Sequence, residues 1–161
     1  MKRSLLLLPI LAGCAVQVPS NLQPEDQSLA QVVPAKGVQI YECRDAKWVF
    51  VAPEADLFDR YGRKIGTHYA GPVWEAADGS KVLGAVKARA DAPQAGAIPW
   101  LLLSAKSVAG EGAFGKVTSI QRVSTTGGVA PAGGCAEAGA KARVPYTADY
   151  YFFTSNAMPR K

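Results

Sequence analysis

The sequence predicts an all-β fold: one antiparallel β-sandwich or barrel-like domain with short strands and long loops rich in Gly, Pro and Ala. Three observations carry that expectation. Apolar and polar residues alternate with a period of two in segment after segment, the mark of a strand with one buried face. Turn residues punctuate the chain at short intervals, drawn from 16 glycines and 11 prolines. No stretch sustains a 3.6-residue apolar period between helix caps. The 161 residues, 48% hydrophobic and 19% charged, have the size and mix of one globular domain, and the sequence shows no internal repeat.

The chain opens with a targeting segment. Lys2 and Arg3 precede an apolar run from Leu5 to Leu11, interrupted by Pro9. The run is too short for a bilayer-spanning helix, which needs about 20 residues, and reads as a signal peptide over residues 1–13. It ends in Leu11-Ala12-Gly13-Cys14, which resembles the bacterial lipobox. That resemblance implies cleavage before Cys14, lipidation of its thiol and stable anchoring by several acyl chains. Ala15 follows the cysteine, so by lipoprotein sorting rules the address is the outer membrane, on the side facing the periplasm. Residues 14–32, with Pro19 and Pro24 among polar residues, are expected to form a lipidated flexible tether. The β-domain then occupies residues 33–161.

Within the domain, Val38, Ile40 and Glu42 alternate with Gln39, Tyr41 and Cys43. After a turn at Asp45-Ala46-Lys47, Trp48 to Val51 form a second run that Pro53 should stop; the two runs read as a hairpin. Residues 54–64 are a connection. Ile65 to Tyr69 is a short strand, and Gly71-Pro72 bends the chain. Val73–Ala76 should pair with Lys81–Arg89 across Asp78-Gly79, a hairpin signal. Pro99 to Ala105 is a continuous apolar run, a strand covered on both faces. Lys116–Thr126 and Arg143–Thr154 alternate again, separated by a small-residue loop that carries Cys135.

Charge and cysteine content exclude some functions. The formal charge is +5, and loss of Lys2 and Arg3 leaves about +3. The remaining bases are scattered, without the basic, aromatic-interleaved patch of a nucleic-acid binder. With Cys14 lipidated, Cys43 and Cys135 remain in an oxidising compartment, and an even pair reads as a disulfide. Two cysteines and one histidine make a poor zinc site; no metal and no cofactor are expected.

The candidate functional centre is the stretch from Ile65 to Val82. It holds the only histidine, His68, with Trp74 and Glu75. These three are the candidate ligand-binding residues: an amphipathic aromatic face beside polar groups suits a small molecule or a saccharide. An enzymatic alternative uses His68 as general base with Asp78, Glu75 or Asp149, and Ser80 or Ser104 as nucleophile. Gly110-Glu111-Gly112-Ala113-Phe114-Gly115 matches a dinucleotide fingerprint but is followed by a strand pattern, not the helix that would meet a pyrophosphate. Gln121 and Arg122 stand mid-strand; an inward Arg122 would want a carboxylate such as Asp149.

Several segments in order carry a family resemblance. They are residues 37–43 (Gly-Val-Gln-Ile-Tyr-Glu-Cys), Trp48 with residues 51–55, 65–68 (Ile-Gly-Thr-His), 71–75 (Gly-Pro-Val-Trp-Glu), 78–80, 98–103, 117–122 and 144–150. Together they resemble the bacterial and fungal family catalogued as domain of unknown function 3455, over about residues 33–154. The resemblance implies secretion and spans both cysteines; it implies no activity. The sequence thus points to a non-catalytic envelope lipoprotein whose β-domain binds a ligand or partner: a small molecule, a saccharide or another envelope protein. The alternatives are a hydrolase-like enzyme built on His68 and a purely structural envelope component.

Overall fold

The computed structural model describes residues 17–156. Eight strands follow one another: β1 (Gln27–Arg44), β2 (Lys47–Phe58), β3 (Lys64–Tyr69), β4 (Val73–Ala76), β5 (Lys81–Ala90), β6 (Trp100–Ala109), β7 (Ser119–Gly127) and β8 (Lys141–Ser155). Each pairs antiparallel with the next, and β8 returns to pair with β1. The sheet therefore closes into an up-and-down barrel, which leaves no complete edge strand exposed to other chains. All-β, antiparallel and barrel-like is the class that the alternating pattern predicts.

The inner wall follows from the period-two rule. Val33 and Ala35 on β1, Ala55 and Leu57 on β2, Trp74 and Ala76 on β4, and Tyr146, Ala148, Tyr150 and Phe152 on β8 all point inward and form the main core. Between Ala35 and Gln39, Gly37 is required by proximity: a Cβ there would lie 2.1 Å from the Glu54 carbonyl oxygen. The ends are closed differently. At one end the 110–118 loop drives Phe114 into the barrel, stacked on Phe152 at 4.5 Å between centroids. The Asp78-Gly79-Ser80 turn holds that loop: the Ala113 amide donates to Asp78 Oδ2 at 2.8 Å and the Phe114 amide to Ser80 Oγ at 3.1 Å. The glycine-rich run is thus a plug. Its Gly112 lies so close to the Asp78 carboxylate that a Cβ would sit 2.3 Å from Oδ2.

Two sequence expectations are corrected. The tether does not extend to residue 32. Residues 27–32 belong to β1 and pair with β8, and a short 3-10 turn at Ser20–Leu22 packs against the outside of the barrel. Leu22, 0% exposed, lies there with Trp100, Leu102 and Val123, and Gln121 Nε2 donates to the Leu22 carbonyl at 2.6 Å. That cover explains why β6 is apolar on both faces. Residues 1–16, which include the expected signal segment over residues 1–13, lie outside the described residues.

The strands are also longer than expected, because proline does not stop them. Pro34, Pro53 and Pro145 lie inside β1, β2 and β8, each just past the end of one ladder. The β1–β2 pairs begin at Ala35, the β2–β3 pairs end at Ala55, and the β7–β8 pairs end at Tyr146. A missing N–H is tolerated where no neighbouring strand is there to receive it.

Candidate functional site

The short β3–β4 hairpin creates an opening. β2 pairs with β3 only from Ala55 to Phe58, and β5 pairs with β4 only from Lys81 to Leu83. Beyond those residues β2 and β5 run on past the Gly71-Pro72 turn with no strand between them. This leaves a notch in the barrel wall, and behind it a cavity of about 330 Å³. Phe50, Val51 and Pro53 border it from β2, Val86 from β5, and Gly71 and Pro72 from the turn. Its inner walls are Gln39, His68, Trp74, Leu101, Leu103, Arg122 and Tyr150. The rim is both apolar and accessible: Phe50 is 50% and Val86 58% exposed.

His68 and Trp74 are cross-strand partners on β3 and β4, so their side chains share the inner face. Their rings stack with centroids 4.3 Å apart and planes 11° apart, and Tyr150 meets both edge-on. His68 Nδ1 lies 2.8 Å from the Val73 carbonyl. A carbonyl only accepts, so Nδ1 carries the proton and Nε2 is left as an acceptor. Burial holds the His68 pKa down to about 3, with the hydrogen bond that Nδ1 donates to the Val73 carbonyl acting the other way and the Arg122 charge adding to the depression. The imidazole is neutral at physiological pH.

Arg122 faces the same space because it pairs with Tyr150 on β8. Its Nε and Nη2 donate to the Pro99 carbonyl at 3.1 and 2.8 Å. The Tyr150 and Tyr146 hydroxyls are 3.2 Å apart. Burial raises the pKa of both; Arg122 offsets the rise in part. Among the described residues no carboxylate forms an ion pair with Arg122. The expected partner, Asp149, pairs with Val123 and so lies on the other face of the sheet. Two further buried donors, Gln39 Nε2 and Trp74 Nε1, have no hydrogen-bond partner in the protein.

The three predicted binding residues are therefore divided. His68 and Trp74 line the cavity, whereas Glu75, next in sequence to Trp74, points outward, as alternation requires. Glu75 accepts from the Tyr69 hydroxyl at 2.7 Å and pairs with Lys81 at 3.0 Å; both lower its pKa, the Tyr69 bond most. The catalytic constellation is not assembled. Ser80 donates to Asp78 at 2.6 Å in the plug at the far end, Ser104 and Asp149 do not line the cavity, and the proton-bearing nitrogen of His68 is held by a backbone carbonyl. Sequence reasoning missed Gln39, Phe50, Leu101 and Leu103 as lining residues; their strands were legible, but their register around a closed barrel was not.

Cys43 and Cys135 form a disulfide with α-carbons 5.8 Å apart. It fastens the 128–140 loop to the β1–β2 turn, at the same end of the barrel as the notch. Cys14 lies outside the described residues.

Comparison with known proteins adds a family. The model of a protein family of unknown function, DUF3455, matches residues 24–154. No curated protein and no solved structure matches the chain.

Proposed function

This chain belongs to the DUF3455 family of proteins of unknown function, and from its own residues we propose that it is a non-catalytic binding protein of the cell envelope. In this reading the barrel takes a small molecule through the notch between β2 and β5. One observation carries it: a cavity of about 330 Å³ lined by apolar and aromatic side chains with a few convergent polar groups, the usual composition of a small-molecule site. Eight-stranded barrels have room either for side chains alone or for one small ligand. Here one end is packed by Phe114, and the notch opens the wall beside the β3–β4 turn.

The hydrolase alternative is weaker because the cavity lining includes no Ser, Thr or Cys and His68 is a poor base at a pKa of about 3. The leader Lys2 to Cys14 supports export and lipid attachment at Cys14, with an outer-membrane address.

The test is a titration with 1-aminonaphthalene, an uncharged fluorophore of about the cavity's size. The folded protein should shift its emission to the blue in a saturable way. Val86→Trp, a change at an exposed rim position, should block the notch and abolish the response without loss of fold. A response that survives Val86→Trp unchanged, or no response from the wild type, refutes the reading.

A further inference from the structure

The one charged side chain lining the cavity is a cation, Arg122, and the lining side-chain atoms that are buried without a partner are both donors, with His68 Nε2 as an acceptor beside them. Arg122 brings five N–H groups, of which two are spent on the Pro99 carbonyl. Gln39 Nε2 and Trp74 Nε1 add two buried donors without partners; Gln39 is 2% exposed. No Asp or Glu is among the lining residues, and no Lys accompanies Arg122. A buried donor left unsatisfied costs free energy that a ligand acceptor would recover. One guanidinium, uncompensated by any acid, matches one negative charge.

Resting on the binding reading above, we infer that the ligand is a monocarboxylate with an apolar body, its carboxylate on the Arg122 guanidinium and its body against Trp74, Leu101 and Leu103. The guanidinium fork fits a carboxylate in two parallel hydrogen bonds. A phosphate monoester would bring a second charge with no second cation to meet it. At about 30 Å³ for each non-hydrogen atom, the volume of a liquid water, the cavity of about 330 Å³ holds about ten such atoms. A straight-chain or single-ring acid of that size fills it, and a longer tail leaves through the apolar rim at Phe50, Val51 and Val86.

The test compares octanoate with 1-octanol, which has the same chain without the charge, by calorimetric titration of the disulfide-intact protein. Octanoate should bind about tenfold more tightly or better, the scale of a charge-assisted hydrogen-bond pair. Arg122→Met should reduce octanoate to about the level of octanol. Equal binding of the two by the wild type overturns the carboxylate assignment while leaving the binding cavity standing. Failure of both ligands and of 1-aminonaphthalene overturns the cavity reading with it. Should Arg122→Met fail to fold, Arg122→Lys keeps the charge and loses the fork. It should weaken octanoate alone, and an unchanged octanoate affinity in that variant overturns the proposal.

Discussion

Removing the Cys43–Cys135 crosslink is the sharpest perturbation of the notch end of the barrel. The two cysteines are 92 residues apart in sequence. On the chain-entropy argument, closing a loop of that length destabilises the unfolded state by about 4–5 kcal/mol at 25 °C. How much is lost on replacement depends on the native loop. Three backbone hydrogen bonds seat it independently of the sulfurs: Cys135 N to Ala46 O at 3.1 Å, Cys43 N to Ala140 O at 2.8 Å and Gly139 N to Cys43 O at 2.9 Å. If they hold, the full entropic figure applies; if the loop comes loose, the native state regains freedom and the loss falls toward about 2 kcal/mol. The double variant Cys43→Ser with Cys135→Ser avoids a lone thiol. Urea unfolding followed by tryptophan fluorescence reads the outcome, since Trp74 is 1% exposed and changes environment on unfolding. With a urea slope of about 2 kcal/mol per molar, the midpoint should fall by about 1–2.5 M. The slope itself should rise, because an unlinked unfolded chain exposes more surface. An unchanged midpoint, or two free thiols in wild-type protein folded under oxidising conditions, would refute the reasoning.

Three other perturbations test separate parts of the account. Leu22→Ala empties a fully buried position between the 3-10 turn and the outer face of β6 and β7, and should cost about 2–5 kcal/mol in the same urea assay; a loss under about 0.5 kcal/mol, the surface-residue range, would return residues 17–26 to the tether. His68 gives an acid-dependent loss. In the fold it stays neutral down to about pH 3, whereas unfolded it takes a proton near pH 6.5. Its contribution is therefore complete above about pH 6.5 and lost as the pH falls toward 3, about 2 kcal/mol of it by pH 5. His68→Phe should remove that part of the slope of stability against pH; equal slopes in variant and wild type would show that the imidazole titrates normally. Cys14→Ser should move the protein from the membrane fraction to the soluble periplasmic fraction, and a mature wild-type N-terminus without lipid would contradict the anchor.

What could be read in advance, and what could not, divides along physical lines. Alternation marks most of the strands, which have one wet and one dry face for most of their length, while β6 shows as a continuous apolar run. The start of β1 was illegible. Residues 27–34 pair with β8 alone, and Leu29 and Val32 remain exposed, so no dry stripe marks them. The apolar run at β6 signals cover on both faces, but nothing in it names Leu22 as the cover. At the site, His68 and Trp74 were found together because both stand out by residue type. Glu75 was included through sequence adjacency, which in a strand means the opposite face. Arg122 and Asp149 show the same limit across strands. Their composition suggests an ion pair, yet the register sets Arg122 against Tyr150 and Asp149 against Val123. A shift of one residue moves a side chain to the other face, and that shift is decided by ring closure, not by either strand's own pattern.

The account's central claim is that the cavity behind the notch is where the protein binds. The direct measurement is an amide and side-chain NMR map of the isotopically labelled domain, titrated with 1-aminonaphthalene. The account predicts saturable shifts at Gln39, His68, Trp74, Leu103, Arg122 and Tyr150, with the outward Tyr69, Glu75 and Lys81 unmoved. Shifts confined to the outer residues, or spread evenly over the barrel, would contradict it.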